Sequence, residues 1–160
     1  MKRLIVVSDS HGNAKAVEKL LPLIQENHYF LHLGDGVSDV SVALNECSKK
    51  TYFCAGNCDF YGGVAEEGVL EVENVKIFYC HGHKYGVKSG LAILAKRAKE
   101  LGCTLALYGH THQAGVCEID GVTLVNPGSL RYPVSEGGSY AYVVINGEKI
   151  TAVIVGESVG

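Results

Sequence analysis

Apolar positions along the chain change period several times, and each change marks an element. Residues 3–8 are rich in Val and Ile and hardly alternate, which predicts a strand buried on both faces. From Gly12 the spacing becomes helical, with Val17, Leu20, Leu21 and Ile24 on one face. Pro22 is expected to kink this helix or restart it. Tyr29 to Leu33 reads as a second strand, Val37 to Cys47 as a short helix, and Thr51 to Cys54 as a third strand. This β-α-β-α-β order implies right-handed crossovers and a parallel sheet.

The second half patterns differently. Val69 to Val72 and Val75 to Cys80 form a predicted hairpin around Glu73-Asn74. Gly90 to Leu101 is an amphipathic helix closed by Gly102. Leu105 to Tyr108 is a strand, followed by strands at Gly115–Ile119, Val122–Val125, Ser139–Ile145 and Lys149–Val155. Asp120-Gly121 and Asn146-Gly147 are two-residue hairpin turns. The predicted fold class is α/β (α+β): a four-layer αββα sandwich of two mixed sheets flanked by helices. It forms a single domain over residues 1–160, with no linker, repeat or low-complexity segment.

Polar residues cluster where the apolar runs end. The groups are Asp9-Ser10-His11, Gly34-Asp35, Gly56-Asn57-Cys58-Asp59, His81-Gly82-His83 and Gly109-His110-Thr111-His112. In open α/β sheets, sites form beyond the carboxyl ends of strands. Residues i and i+2 of an extended segment face the same way, so Asp9 with His11, and His110 with His112, each aim two ligands at one place. Asp9, His11, Asp35, Asn57, His81, His110 and His112 are too many ligands for one tetrahedral ion and suit two divalent ions. Asp35 is the natural bridge. Two ions carry +4 and the two aspartates −2, so a bridging hydroxide leaves about +1, a site for phosphate-like anions. Ions ~3.5–4 Å apart lower the pKa of bound water to ~7 and clamp both oxygens of an in-line displacement.

A net charge of −3 argues against a dedicated nucleic-acid surface, which needs a basic face. Lys49-Lys50 and Lys96, Arg97 and Lys99 read as solvated faces. The hydrophobic fraction of 47% and charged fraction of 19% describe a globular chain. No apolar run reaches the ~20 residues of a membrane span, and the one after Lys2-Arg3 stops at Ser8-Asp9, a strand rather than a leader. Six cysteines without a CxxC pair read as reduced thiols of a cytoplasmic protein, mainly within apolar runs, with Cys58 set among polar residues inside a motif. Exposed strand edges allow a homodimer.

The order DxH, GD, GNxD, HGH and GHTH, followed by Asn126-Pro127-Gly128-Ser129, resembles the calcineurin-like metallophosphoesterase superfamily over residues 3–155. The likeness is narrower to its small prokaryotic phosphodiesterases, relatives of the retromer scaffold subunit. It implies Asp9, His11, Asp35 and His112 on one metal, and Asp35, Asn57, His81 and His110 on the other. The ions implied are manganese first, then nickel, zinc or iron, and the partner is a small phosphate ester. A metal-activated hydroxide would attack phosphorus. The alternatives are a phosphomonoesterase or a non-catalytic protein-binding scaffold.

Members usually carry His where this chain has Cys58, so the acid for the leaving oxygen falls to Cys58 or to His83. Substrates whose leaving groups need little protonation, such as aryl phosphodiesters, are expected to suit the site. The second acid of a GDxxD motif is displaced to Asp39. Asp59 is expected to orient loop backbone, and His28 and His32 to be structural. Ser129 and Arg131 are candidates for phosphate contact. Tyr61, Tyr85 and Tyr132 are candidates for a substrate mouth.

Overall fold

In a computed structural model, which describes residues 1–59, 63–130 and 138–156, the apolar runs become two five-stranded sheets. In chain order the elements are β1 (Lys2–Val7), α1 (Ala14–Glu26), β2 (Tyr29–His32), α2 (Ser41–Cys47), β3 (Thr51–Phe53), β4 (Glu67–Val72), β5 (Val75–Cys80), α3 (Ala92–Glu100), β6 (Leu105–Leu107), β7 (Gly115–Ile119), β8 (Val122–Asn126), β9 (Ser139–Asn146) and β10 (Lys149–Gly156). The first sheet has the order β10-β9-β1-β2-β3, and the second β4-β5-β6-β8-β7. Strands β1, β2 and β3 are parallel, as are β5, β6 and β8, while β9, β10, β4 and β7 join antiparallel. Both sheets are therefore mixed.

Alternation within the strands sorts side chains into three apolar layers. Leu4, Val6, Leu31, Ile77, Leu105, Leu107, Val125, Val143 and Ile145 fill the space between the sheets. Ile5, Val7 and Phe30 point the other way, under Val17, Leu20 and Ile24 of α1 and Ala43 of α2. Phe78, Ala106 and Leu124 meet Leu94, Ala95 and Ala98 of α3. The layers run helix, sheet, sheet, helix. Each fully buried Leu, Ile, Val or Phe contributes about 1.5–3 kcal/mol relative to exposure. No helix among the described residues is long and apolar enough to cross a membrane.

Two expectations change. Helix α1 runs from Ala14 to Glu26 through Pro22 without a second start. Pro22 and Glu18 are both exposed, so the carbonyl that proline leaves unbonded lies on the solvent side. The turn between β9 and β10 is Gly147-Glu148 rather than Asn146-Gly147, because Asn146 pairs with Lys149. Gly147, at φ 63°, takes the first central position, which suits the twist of a two-residue hairpin. Asp120 and Gly121 form the expected turn, with φ of 50° and 81°. Gly102 ends α3 at φ 76°, with Cys103 N–H donating to the Ala98 carbonyl at 2.8 Å and Gly102 N–H to Lys99 at 3.0 Å.

His32 is fully buried at the end of β2 and is structural, as predicted. Its Nδ1 accepts the Gly34 N–H at 3.1 Å, so the proton sits on Nε2, which faces Ser10 Oγ at 2.8 Å. Burial pushes its pKa down to about 4, against the opposing pull of Asp39, Asp59 and Asp9. Below the unfolded value of ~6.5 the unfolded chain binds a proton that the folded one refuses. Stability is therefore expected to fall as pH drops from ~6.5 to ~4, by up to about 3 kcal/mol. Urea unfolding across this window checks it, and His32→Gln should flatten the slope; an unchanged slope would remove His32 as the cause.

Candidate metal centre

The parallel strands deliver their carboxyl ends to one edge, and there the backbone turns abruptly. Asp9, His11, Asp35, His110 and His112 have φ of 55°, 46°, 56°, 71° and 62°. Left-handed backbone costs a residue with a Cβ roughly 1–2 kcal/mol, so five such residues at one edge mark a site that the rest of the fold holds in place. Main-chain bonds do part of the holding. Asp9 N–H donates to the Gly34 carbonyl at 3.0 Å and His11 N–H to the Asp35 carbonyl at 2.9 Å, lacing the first loop to the second. Gly34 lies so close to the third loop that a Cβ there would sit 2.6 Å from the Gly56 nitrogen.

Six of the seven predicted ligands converge. His81 donates from Nδ1 to the Leu33 carbonyl at 2.7 Å, which turns the Nε2 lone pair into the cleft. That Nε2 lies 3.2 Å from Asp35 Oδ2, 3.1 Å from His110 Nδ1 and 3.8 Å from Asp9 Oδ1. Asp9 Oδ1 is also 3.2 Å from His112 Nε2 and 3.6 Å from His11 Nε2, and the two imidazole nitrogens are 3.3 Å apart. Asp9, His11 and His112 make one cluster able to hold a cation, and Asp35, His81 and His110 another. Burial and the neighbouring His81 depress His110, which keeps it neutral at pH 7, the form that ligates. Asn57 stands at the exposed rim after β3, its amide nitrogen 3.6 Å from the Cys58 sulfur.

Several residues hold this edge without entering it. Asp59 accepts N–H bonds from Asp35 at 2.7 Å, Gly56 at 2.8 Å, Gly36 at 3.0 Å and Val37 at 3.1 Å, the loop-orienting role expected of it. Its burial disfavours the charge, but these donors outweigh that and keep its carboxyl below the usual range. Asp39 is turned away from the centre. It accepts Ser10 Oγ–H at 2.6 Å and Gly12 N–H at 2.9 Å, so it braces the first loop together with His32. Asn126 donates to Thr111 Oγ1 at 2.8 Å, and Ser129 Oγ donates to the Asp9 carbonyl at 2.8 Å. Ser129 thus braces a predicted ligand, Asp9, through that residue's backbone.

The sequence marked His32 as structural but gave no sign that it and Ser10 together brace the first loop. His28 Nδ1 accepts the Arg3 N–H at 3.0 Å, a structural use. Tyr85 donates to Glu67 at 2.6 Å and packs on Phe78, so it belongs to the outer layer and not to a substrate mouth. Tyr61, Arg131 and Tyr132 lie outside the described residues.

The two candidate acids differ in setting. His83 is half-buried, its ring 5.5 Å from that of His81 and 6.2 Å from that of His110. Its buried Nδ1 has no partner among the described residues. Burial and His81 push its pKa down, so it is neutral at pH 7. Cys58 is exposed, and its N–H donates to Asp35 Oδ1 at 2.8 Å. Desolvation and the Asp35 carboxylate push its thiol up, so it keeps its proton. Cys58 lines a cavity of about 430 Å3 with His11, Gly12, Asp35, Gly36, Ser38 and Asp59.

A divalent cation fits these residues. Asp9 is 1% exposed, yet its Oδ1 has no hydrogen-bond partner among the described residues and faces three imidazoles. A buried, unbonded carboxylate oxygen is costly unless a cation meets it. Residues 1–148 match the calcineurin-like phosphoesterase superfamily domain, and the chain belongs to that superfamily, whose metallophosphoesterases use divalent metal ions. The probable metallophosphoesterase YsnB of Bacillus subtilis (strain 168) is 32% identical over 154 residues, 92% of this chain and 87% of that one. Phosphodiesterase YfcE of Escherichia coli K12 is 25% identical over 98% of this chain and 94% of its own. A predicted phosphoesterase from Streptococcus pneumoniae TIGR4 superposes with a TM-score of 0.82 at 27% identity, covering 98% of this chain and 90% of that one. Vps29 of Entamoeba histolytica, solved with Zn2+, shares the fold at a TM-score of 0.75 and 20% identity over 97% of this chain and 99% of its own.

Proposed function

We propose that this chain is a two-metal phosphodiesterase. The observation that carries the reading is the convergence of Asp9, His11, Asp35, His81, His110 and His112 around an unpartnered buried carboxylate oxygen. Asp9, His11, Asp35 and His112 would hold one ion, and Asp35, Asn57, His81 and His110 the other. Manganese is the first choice, with nickel, zinc and iron as alternatives. When bound, such ions polarise a water for attack on phosphorus and neutralise charge on the phosphoryl oxygens.

The chain's own residues shape the substrate. The cavity beside the centre is lined by Asp35 and Asp59 and, among the described residues, by no Lys or Arg. A phosphodiester carries one negative charge where a monoester approaches two, and with no such cation to meet a second charge this lining suits the diester. Leaving-group chemistry points to an aryl or similarly stable leaving oxygen. His83 is neutral at pH 7 and Cys58 holds its proton tightly, so neither donates as readily as an imidazolium. The E. coli relative's name, phosphodiesterase, supports the same choice. The scaffold reading, which the Vps29 likeness raises, is disfavoured because all seven ligand positions are filled by ligating residue types.

The test compares bis-p-nitrophenyl phosphate with p-nitrophenyl phosphate as substrates of the purified protein with manganese. Faster turnover of the diester is expected. The reverse order would make the protein a monoesterase, and no turnover with any divalent ion would leave the scaffold.

A further inference from the structure

Cys58 stands where a third donor would complete a cation site. Its sulfur, a His11 ring nitrogen and an Asp35 carboxylate oxygen lie within 4.8 Å of one another. The peptide N–H of Cys58 is fixed on Asp35 Oδ1 at 2.8 Å, and the Asn57 amide nitrogen is 3.6 Å from its sulfur. The side chain is exposed, so an arriving ion reaches it directly from solvent. Independently, the buried and unpartnered Oδ1 of Asp9, 3.6 Å from His11 Nε2, points to a cation at this same histidine.

We propose that Cys58 is an additional, conditional metal ligand, which with His11 and Asp35 captures zinc-class ions but leaves manganese alone. The inference rests on the metal-centre reading above. Thiolate is a soft donor that suits Zn2+ and Co2+, whereas Mn2+ prefers carboxylate and water oxygen. On capture the thiol proton passes to solvent, a sulfur–metal bond forms, and one water leaves the ion. The consequence is a change of state. The thiolate adds one negative charge, cancelling the roughly +1 that attracts a phosphate ester, and it fills a position a water or phosphoryl oxygen would need. The zinc-loaded protein is then a resting form, which removes zinc from the alternative working ions, and the manganese-loaded one is the working form.

Cobalt reports the bond. Metal-free protein is titrated with Co2+ and followed in the near ultraviolet, where thiolate-to-cobalt charge transfer absorbs. The band is expected in the wild type and in Cys117→Ser, which removes the other exposed thiol. It is expected to vanish in Cys58→Ser. In the same variant, Zn2+ affinity is expected to fall at least about tenfold while Mn2+ affinity holds. No band in the wild type, or the same band and the same Zn2+ affinity in Cys58→Ser, overturns the proposal. The two readings fail separately. A Cys58-dependent band without diester turnover would remove the hydrolase and keep the ligand, and turnover without the band would do the opposite.

Discussion

Asp35→Asn is expected to lower manganese-dependent turnover of bis-p-nitrophenyl phosphate by at least about 10^3-fold, or about 4 kcal/mol of lost charge stabilisation. The reason lies in how Asp35 is placed. It sits between two glycines with φ 56°, and its Oδ2 lies 3.2 Å from His81 Nε2 and 3.9 Å from His11 Nε2. Those two imidazoles belong to different halves of the predicted ligand set, so this carboxylate is the group both ions would share. Asparagine keeps the shape but loses the charge and one acceptor oxygen. The fold should survive, because the Cys58 N–H that Oδ1 receives still finds a side-chain oxygen. Steady-state rates and isothermal titration with Mn2+ on the same preparation check the expectation. Near-wild-type turnover in a variant that still binds two ions would sink the bridging role.

The second large effect is expected at Asp59, which touches no ion in this scheme. Its carboxylate closes a ring of four peptide N–H groups from two loops, those of Asp35, Gly36, Val37 and Gly56. Asn would replace one acceptor by an NH2 group facing two of those donors. Hydrogen bonds to a charged acceptor contribute ~1.5–3 kcal/mol each, and Asp59 is only half-buried, so Asp59→Asn is expected to destabilise by about 3 kcal/mol. Urea unfolding at pH 7 measures this. Because its folded-state pKa is depressed, this contribution is present above the unfolded value of ~3.9 and disappears as pH falls through the lower folded one. The same variant should weaken Mn2+ binding about 10–100-fold, since the loops carrying Asp35 and Asn57 lose their common anchor. A loss below ~1 kcal/mol with unaltered metal affinity would reduce Asp59 to an ordinary turn residue.

How far the sequence reached depends on which physics governed each residue. Strands β1, β2 and β5 were legible because Val, Ile, Leu and Phe sit where two-sided burial demands them. The hairpin at Asp120-Gly121 was legible because local turn chemistry decides it. The gathering of six of the seven predicted ligands at one edge was legible in another way: Asp and His beside Gly at successive strand ends are carried to the same side of the sheets. What remained hidden depends on long-range contacts. Nothing local says that Asp39 turns back to Ser10 and Gly12, or that His32 lies under the first loop. Tyr85 was a candidate for a substrate mouth, and only its contacts with Phe78 and Glu67 decide otherwise. Pro22 was read as kinking α1 or restarting it, and of these the restart does not occur, because the carbonyl it leaves unbonded is met by solvent on the outer face.

The left-handed backbone at five predicted ligand positions has a consequence for how ions would come and go. Main-chain hydrogen bonds that hold the first loop run within the chain itself, from the Asp9 N–H to the Gly34 carbonyl and from the His11 N–H to the Asp35 carbonyl. The socket is therefore shaped before anything enters it, and an ion that leaves does not take the loops with it. Exchange of one metal for another would then call for ligand substitution and not for a change in how these loops are held. Which ion the protein carries becomes a matter of supply and of the donors it meets, not of the path by which the chain folded.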